Sequence, residues 1–172
     1  GVGGQRRVQR PSRQARRLRE GGQAPRRIGV AAHPGEMGEQ PATVMDYGCG
    51  IGSATPSLFA LLGVTWVLGT DISPQSLAVA QRTYGSTQAR FLLFDHYRPD
   101  ASLDLVYCNG VFHHIPPQDR AAAVAYVTRT LRPGGLWAFW ENNPWNPGTR
   151  YVMRRIPFDR EARLLPPPEA RR

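Results

Sequence analysis

Five short apolar runs, separated by helix-like segments, each carry an acid or amide at or near their carboxyl end. The runs cover 43–48, 65–71, 89–95, 103–109 and 136–142, and their polar residues are Asp46, Asp71, Asp95, Asn109 and Glu141. Strands that alternate with helices in this rhythm form βαβ units and a parallel sheet. Right-handed crossovers cover both faces, which predicts a three-layer α/β, doubly wound Rossmann-like fold. The continuous apolar run of 103–109 suits a strand covered on both sides. Ligands of such sheets bind at the carboxyl ends of the strands, where these polar residues gather.

The intervening segments carry helix signals. Ser53 is placed to cap a helix that Gly63 ends, and Ser73-Pro74 opens a helix that stops at Gly85. A third helix is expected over 117–135, with Ala123, Val124, Val127 and Leu131 on one side and Pro133-Gly134-Gly135 closing it. Residues 1–40 hold almost no large apolar side chains, so the expectation there is a disordered Arg/Gly-rich tail. The folded core is expected over 41–143, and an irregular or helical segment over 144–172.

Charge excludes less than it first suggests. The net charge is +9, but residues 1–27 contain nine of the 22 basic residues and one acid, Glu20. The remaining 145 residues hold thirteen arginines against twelve acids. A nearly neutral core argues against a nucleic-acid partner. Cys49 and Cys108 form no CxxC pair and no metal-ligand spacing, so no metal is expected. Free thiols suit a reducing compartment, and the cytoplasm is the expected location. No run approaches the ~20 apolar residues of a membrane span.

Within the first run stands "VMDYGCGIG", 44–52. Gly48, Gly50 and Gly52 bare the backbone for close approach of a ligand, and Asp46 stands at the mouth. A dinucleotide turn seats a pyrophosphate on backbone amides; a carboxylate there repels phosphate and attracts a cation. The ligand should therefore carry an ammonium group and lack phosphate, as S-adenosylmethionine does. Asp71, ending the next run, can accept both hydroxyls of a ribose, in NAD and in S-adenosylmethionine alike, so it points to a nucleoside without choosing between them.

In these segments the chain resembles the class I S-adenosylmethionine-dependent methyltransferases. "VMDYGCGIG" is similar to the family's first motif and "VLGTDIS" to its second; "FLLFDHY", "LDLVYCNGVFHHI" and "LRPGGLWAFWE" follow in the family's order. The resemblance spans about 43–142. It implies a strand order of 3-2-1-4-5 and S-adenosyl-L-methionine as cofactor. The cofactor-binding residues it implies are Asp46, Tyr47, Gly48, Cys49, Gly50, Gly52, Asp71, Ile72, Asp95, His96 and Asn109. Asp71 would hold the ribose, and Asp95 would meet the adenine amino group beside His96. Plainer roles stay open: Asp46 and Asp71 as caps, Asp95 as a turn residue, Ile72 in the core rather than on the adenine, Asn109 satisfying backbone.

The implied reaction is methyl transfer by in-line displacement to a small-molecule or lipid-like acceptor. A general base is needed only for an acceptor protonated at working pH, and His113 and His114 are candidates for that role. The segment after the fourth run, Asn109-Gly110-Val111-Phe112, lacks the Asn-Pro-Pro-Tyr pattern of nucleic-acid amino methyltransferases. Trp145 and Asn146 are candidates for lining the acceptor pocket, and Arg150, Arg154 and Arg155 for binding an anion. The alternatives are a non-catalytic cofactor-binding module and a nicotinamide-dependent oxidoreductase.

The family normally closes its sheet with strands six and seven, and residues 144–172 show no strand-like alternation. A C-terminally truncated core is the expectation. Leu136, Trp137, Phe139 and Trp140 would then lie on an exposed edge strand, open to self-association.

Overall fold

The structure is a computed structural model that describes residues 42–159 and 162–170. The expected tail over 1–40 lies outside the described residues.

Five strands make one parallel sheet in the order β3-β2-β1-β4-β5. They are β1 (Thr43–Tyr47), β2 (Trp66–Asp71), β3 (Ala89–Leu93), β4 (Leu103–Asn109) and β5 (Leu131–Trp140). β1 is central, pairing Thr43 with Trp66 on one side and Val44 with Leu105 on the other. The chain winds outward from β1 through β2 to β3, then crosses back to β4. Strand order therefore reverses between β1 and β4, which places a crevice at their carboxyl ends.

Alternation along each strand builds two cores. Val44, Val67 and Leu105 face Leu58 of α1 (Thr55–Leu62) and Leu77 and Ala80 of α2 (Pro74–Tyr84). Met45, Leu68 and Val106 face Ala123, Tyr126 and Val127 of α3 (Arg120–Thr130). With both faces covered, the central strands read as continuous apolar runs.

Several boundaries differ from the sequence expectation. Ser73 does cap α2, its hydroxyl accepting from the Ser76 amide at 3.2 Å. Ser53 does not cap α1: the cap position is Ala54, with no side-chain hydrogen bond, and Gly63 ends the helix at φ 63°. The third helix stops at Thr130 rather than 135. Proline disfavours a helical conformation in the residue before it, and the chain turns extended at Leu131, two residues before Pro133. β5 therefore begins early, pairing Leu131 with Leu103, and resumes at Leu136 opposite Leu105. Residues 132–135 bulge between them, and a Cβ on Gly135 would lie 3.0–3.2 Å from three carbonyl oxygens. On α3, Tyr126 takes the buried position and Val124 is exposed.

Asp104 ties this region to β1. It accepts from the Ala42 amide (2.9 Å), the Thr43 amide (2.7 Å), the Thr43 hydroxyl (2.9 Å) and Arg132 Nε (2.5 Å). Burial opposes its ionisation, but these donors override it and hold the carboxyl at about 2.

Beyond β5 come α4 (Pro147–Met153), a single 3₁₀ turn at Pro157–Asp159 and α5 (Pro167–Ala170). Leu165 enters the core beside Tyr126 and Val127. The Arg163 amide donates to the His113 carbonyl at 2.8 Å, and Arg120 donates to the carbonyls of Ile115 and Arg163.

Candidate functional site

The glycine turn follows β1 directly. The amides of Gly48 and Cys49 both donate to the Thr70 carbonyl, at 2.8 and 3.0 Å, which fastens the turn to the end of β2. Gly48, Gly50 and Gly52 all have positive φ, at 75°, 52° and 75°, a region costly for residues with a Cβ. They differ in what surrounds them. A Cβ on Gly48 would stand 2.4 Å from Val111 Cγ2, and one on Gly52 would crowd Phe91, Ala80 and Tyr84 at 3.0–3.1 Å. At Gly50 nothing lies within 4 Å. Gly48 and Gly52 let the turn pack, while Gly50 leaves bare backbone facing open space.

Two carboxylates flank the turn. Asp71 Oδ2 accepts from the Gly50 amide and Oδ1 from the Ser73 amide, both at 2.8 Å. Each oxygen keeps acceptor capacity for a ligand hydroxyl. Asp46 is 3% exposed, and its Oδ2 has no hydrogen-bond partner. Burial, then the nearby Asp71 charge, pushes its carboxyl up to about 7. A buried, unsatisfied acceptor is unfavourable by itself and becomes favourable once a cation arrives.

The other expected cofactor residues separate into two groups. Ile72 is 84% exposed, so it does not belong to the core. Asp95 does not end β3 but sits in a 3₁₀ turn after it (Phe94–His96), and its side chain and that of His96 are both largely exposed, 3.9 Å apart. Asn109 ends β4 and is exposed. The Tyr47 ring, in contrast, lies in an aromatic cluster with Phe94, Phe112 and Tyr126, with centroids 5.9–6.4 Å away. The Cys49 thiol is also buried. For these two residues only backbone remains to meet a ligand.

The histidines are arranged unlike a free base. His113 is buried, its Nδ1 2.7 Å from Glu141 Oε2 and its Nε2 3.7 Å from Asp159 Oδ1. Glu141 Oε1 also accepts from the Phe112 amide at 2.6 Å, joining the ends of β4 and β5. His114 is partly exposed, with Nε2 3.4 Å from Asp159 Oδ1. Burial, then His113, lowers its pKa. Asp159 gave no signal in the sequence, because its partners lie some 45 positions upstream.

Past β5, Asn146 caps α4, its Oδ1 accepting from the amides of Gly148 and Thr149, while Trp145 is exposed. Arg150 and Arg154 line a cleft of about 260 Å³ with Met153, Asp159, Ala162 and Leu164. The guanidinium of Arg155 lies over the Tyr151 ring, 4.2 Å from its centroid.

Residues 44–135 match the methyltransferase domain family. The trans-aconitate 2-methyltransferase of Azoarcus sp. is 30% identical over 73% of this chain and 49% of its own length. A Synechocystis 2-methyl-6-phytyl-1,4-hydroquinone methyltransferase is 33% identical over 66% of this chain and 38% of its own. The chain spans about half or less of the length of these curated relatives. Among solved structures, an S-adenosylmethionine-dependent methyltransferase from Mesorhizobium loti aligns with a TM-score of 0.53 and 27% identity, covering 63% of this chain and 50% of that one. One from Archaeoglobus fulgidus shares the fold, with a TM-score of 0.62 at 17% identity over 75% of this chain and 57% of that one. With the strand order, the open glycine turn and its two carboxylates, the match over 44–135 establishes the family: the chain belongs to the class I S-adenosylmethionine-dependent methyltransferases.

Proposed function

We propose that this chain binds S-adenosylmethionine in the crevice between β1 and β4 and transfers its methyl group to a small-molecule acceptor. The observation that carries this reading is the buried Asp46 carboxyl, its Oδ2 without a hydrogen-bond partner, close to Asp71 at the start of the open glycine turn. Asp46 would balance the ammonium of the methionyl group. Asp71 would take the ribose hydroxyls, and exposed Ile72 would offer its side chain to the adenine face. Asp95, His96 and Asn109 are the polar residues that would border the base and the methionyl group.

The cofactor supplies an activated methyl on a sulfonium. Held by Asp46 and Asp71, it would offer that methyl carbon to an acceptor's lone pair, with the electrons of the broken carbon–sulfur bond staying on sulfur. The chain contributes orientation, holding donor and acceptor in line. An acceptor already ionised at neutral pH needs no base. His113, buried between two carboxylates, would organise the site rather than take a proton from substrate.

A small carboxylic acid fits this chemistry best. Arg150 and Arg154 share one cleft, and two guanidinium groups suit a carboxylate. The relatives named as trans-aconitate 2-methyltransferases support the same class. Among the described residues no helix is long and apolar enough to cross a membrane. The free thiols of Cys49 and Cys108 accord with a reducing compartment, the cytoplasm. The test is incubation with methyl-labelled S-adenosylmethionine and a panel of di- and tricarboxylic acids, amines and phenols. Labelled methyl ester from an acid supports the reading; label on an amine or phenol alone overturns the acceptor class.

A further inference from the structure

Three ligand-type groups meet where the post-β4 loop touches the Pro157–Asp159 turn. They are His113 Nε2, His114 Nε2 and Asp159 Oδ1, all within 4.8 Å of one another. We propose that they form a binding site for one divalent transition-metal ion of the zinc class.

Geometry points to this ion. Asp159 Oδ1 stands 3.7 Å from His113 Nε2 and 3.4 Å from His114 Nε2. Tetrahedral zinc with bonds of about 2.0–2.1 Å separates its ligand atoms by roughly 3.3 Å, close to both Asp159 separations, and the two imidazoles, within 4.8 Å, would draw together as the ion binds. Two imidazoles and one carboxylate are a donor set zinc accepts, with a fourth position left for water or an anion.

Two independent features point the same way. The Asp159 side chain is 6% exposed, yet Oδ1 accepts no hydrogen bond. A buried carboxylate oxygen without a donor is costly, and a cation there removes the cost. On the far side of His113, Nδ1 sits 2.7 Å from the Glu141 carboxylate. A metal-bound histidine usually donates its second N–H to such a group, which fixes the tautomer that leaves Nε2 free to ligate.

Glu141 and Asp159 together balance a dication. His114, 38% exposed, gives the ion a route in. The cleft that Asp159 shares with Arg150 and Arg154 leaves room for an anionic fourth ligand. Bound there, the ion fastens the segment after β5 to the loop after β4, at the carboxyl end of the sheet. The site is separate from the glycine turn and does not depend on the acceptor proposed above.

The test uses the whole chain, stripped with chelator and titrated with zinc chloride by calorimetry, then with cobalt chloride. One zinc per chain and the visible bands of tetrahedral cobalt are expected. Asp159→Asn and His114→Ala should each weaken binding at least about tenfold, the lower end of what losing even an outer-shell partner costs. His114 is partly exposed, so its alanine variant should keep the fold, checked by cooperative thermal unfolding. No zinc binding by the parent chain, or unchanged affinity in His114→Ala, overturns the site.

Discussion

Asp46 is a liability to the free protein and, in the role proposed for it against the cofactor ammonium, an asset to the complex. Its carboxyl sits near 7 through burial and the Asp71 charge. A raised carboxyl opposes folding as pH rises from its unfolded value, near 4, up to about 7. A cofactor ammonium needs the ionised form, so binding below about pH 7 must expel a proton. Affinity for S-adenosylmethionine should therefore fall about tenfold per pH unit below that point and level off above it. Calorimetry across this range checks it, and in Asp46→Asn the slope should vanish. Gly48 carries a different constraint, since positive φ and Val111 at 2.4 Å both exclude a side chain. Gly48→Ala should cost about 3 kcal/mol of stability, read from urea unfolding, by combining left-handed strain with overpacking. A loss under about 1 kcal/mol would mean the turn relaxes freely.

Among the elements, those with local signals were readable from sequence and those set by distant contacts were not. Ser73-Pro74 and Gly85 mark α2 because capping and proline chemistry act within one turn. The strand order followed from the family resemblance, and the parallel character from the strand–helix rhythm. The early end of α3 and the bulge at 132–135 were missed, because Pro133-Gly134-Gly135 reads equally as a helix stop or a strand irregularity. Asp104 decides between them through Arg132 and Thr43, residues 28 and 61 positions away. Asp104→Ala should destabilise the chain by about 2 kcal/mol at neutral pH, the loss of charged hydrogen bonds. Its folded carboxyl lies below the unfolded value, so that contribution is present above about pH 4 and lost as pH falls toward 2. Urea midpoints should converge between variant and parent in that acid window; a constant gap would contradict the ionised role.

Across the whole molecule, the candidate site shows the same division. The glycine turn, Asp46 and Asp71 are contiguous with their strands and visible in the sequence. The core placement of the Tyr47 ring and the Cys49 thiol depends on strand facing, and the His113–Glu141–Asp159 link depends on three separate segments. Among the described residues β5 lies at an edge of the sheet, with Leu136 and Trp140 exposed, the latter 51%. An edge with such side chains can pair with another copy. Sedimentation should show concentration-dependent association, reduced by Trp140→Lys; a monomer at every concentration would contradict it.

The most direct measurement is a calorimetric titration of the chain with S-adenosylhomocysteine and, separately, with NAD. The homocysteine product should bind at one site, and Asp71→Ala should weaken it by about 1–3 kcal/mol, roughly five- to 150-fold. Above about pH 7, where Asp46 is ionised, NAD should give no heat, because the carboxylate repels a pyrophosphate. Tight NAD binding with no response to S-adenosylhomocysteine would contradict the account.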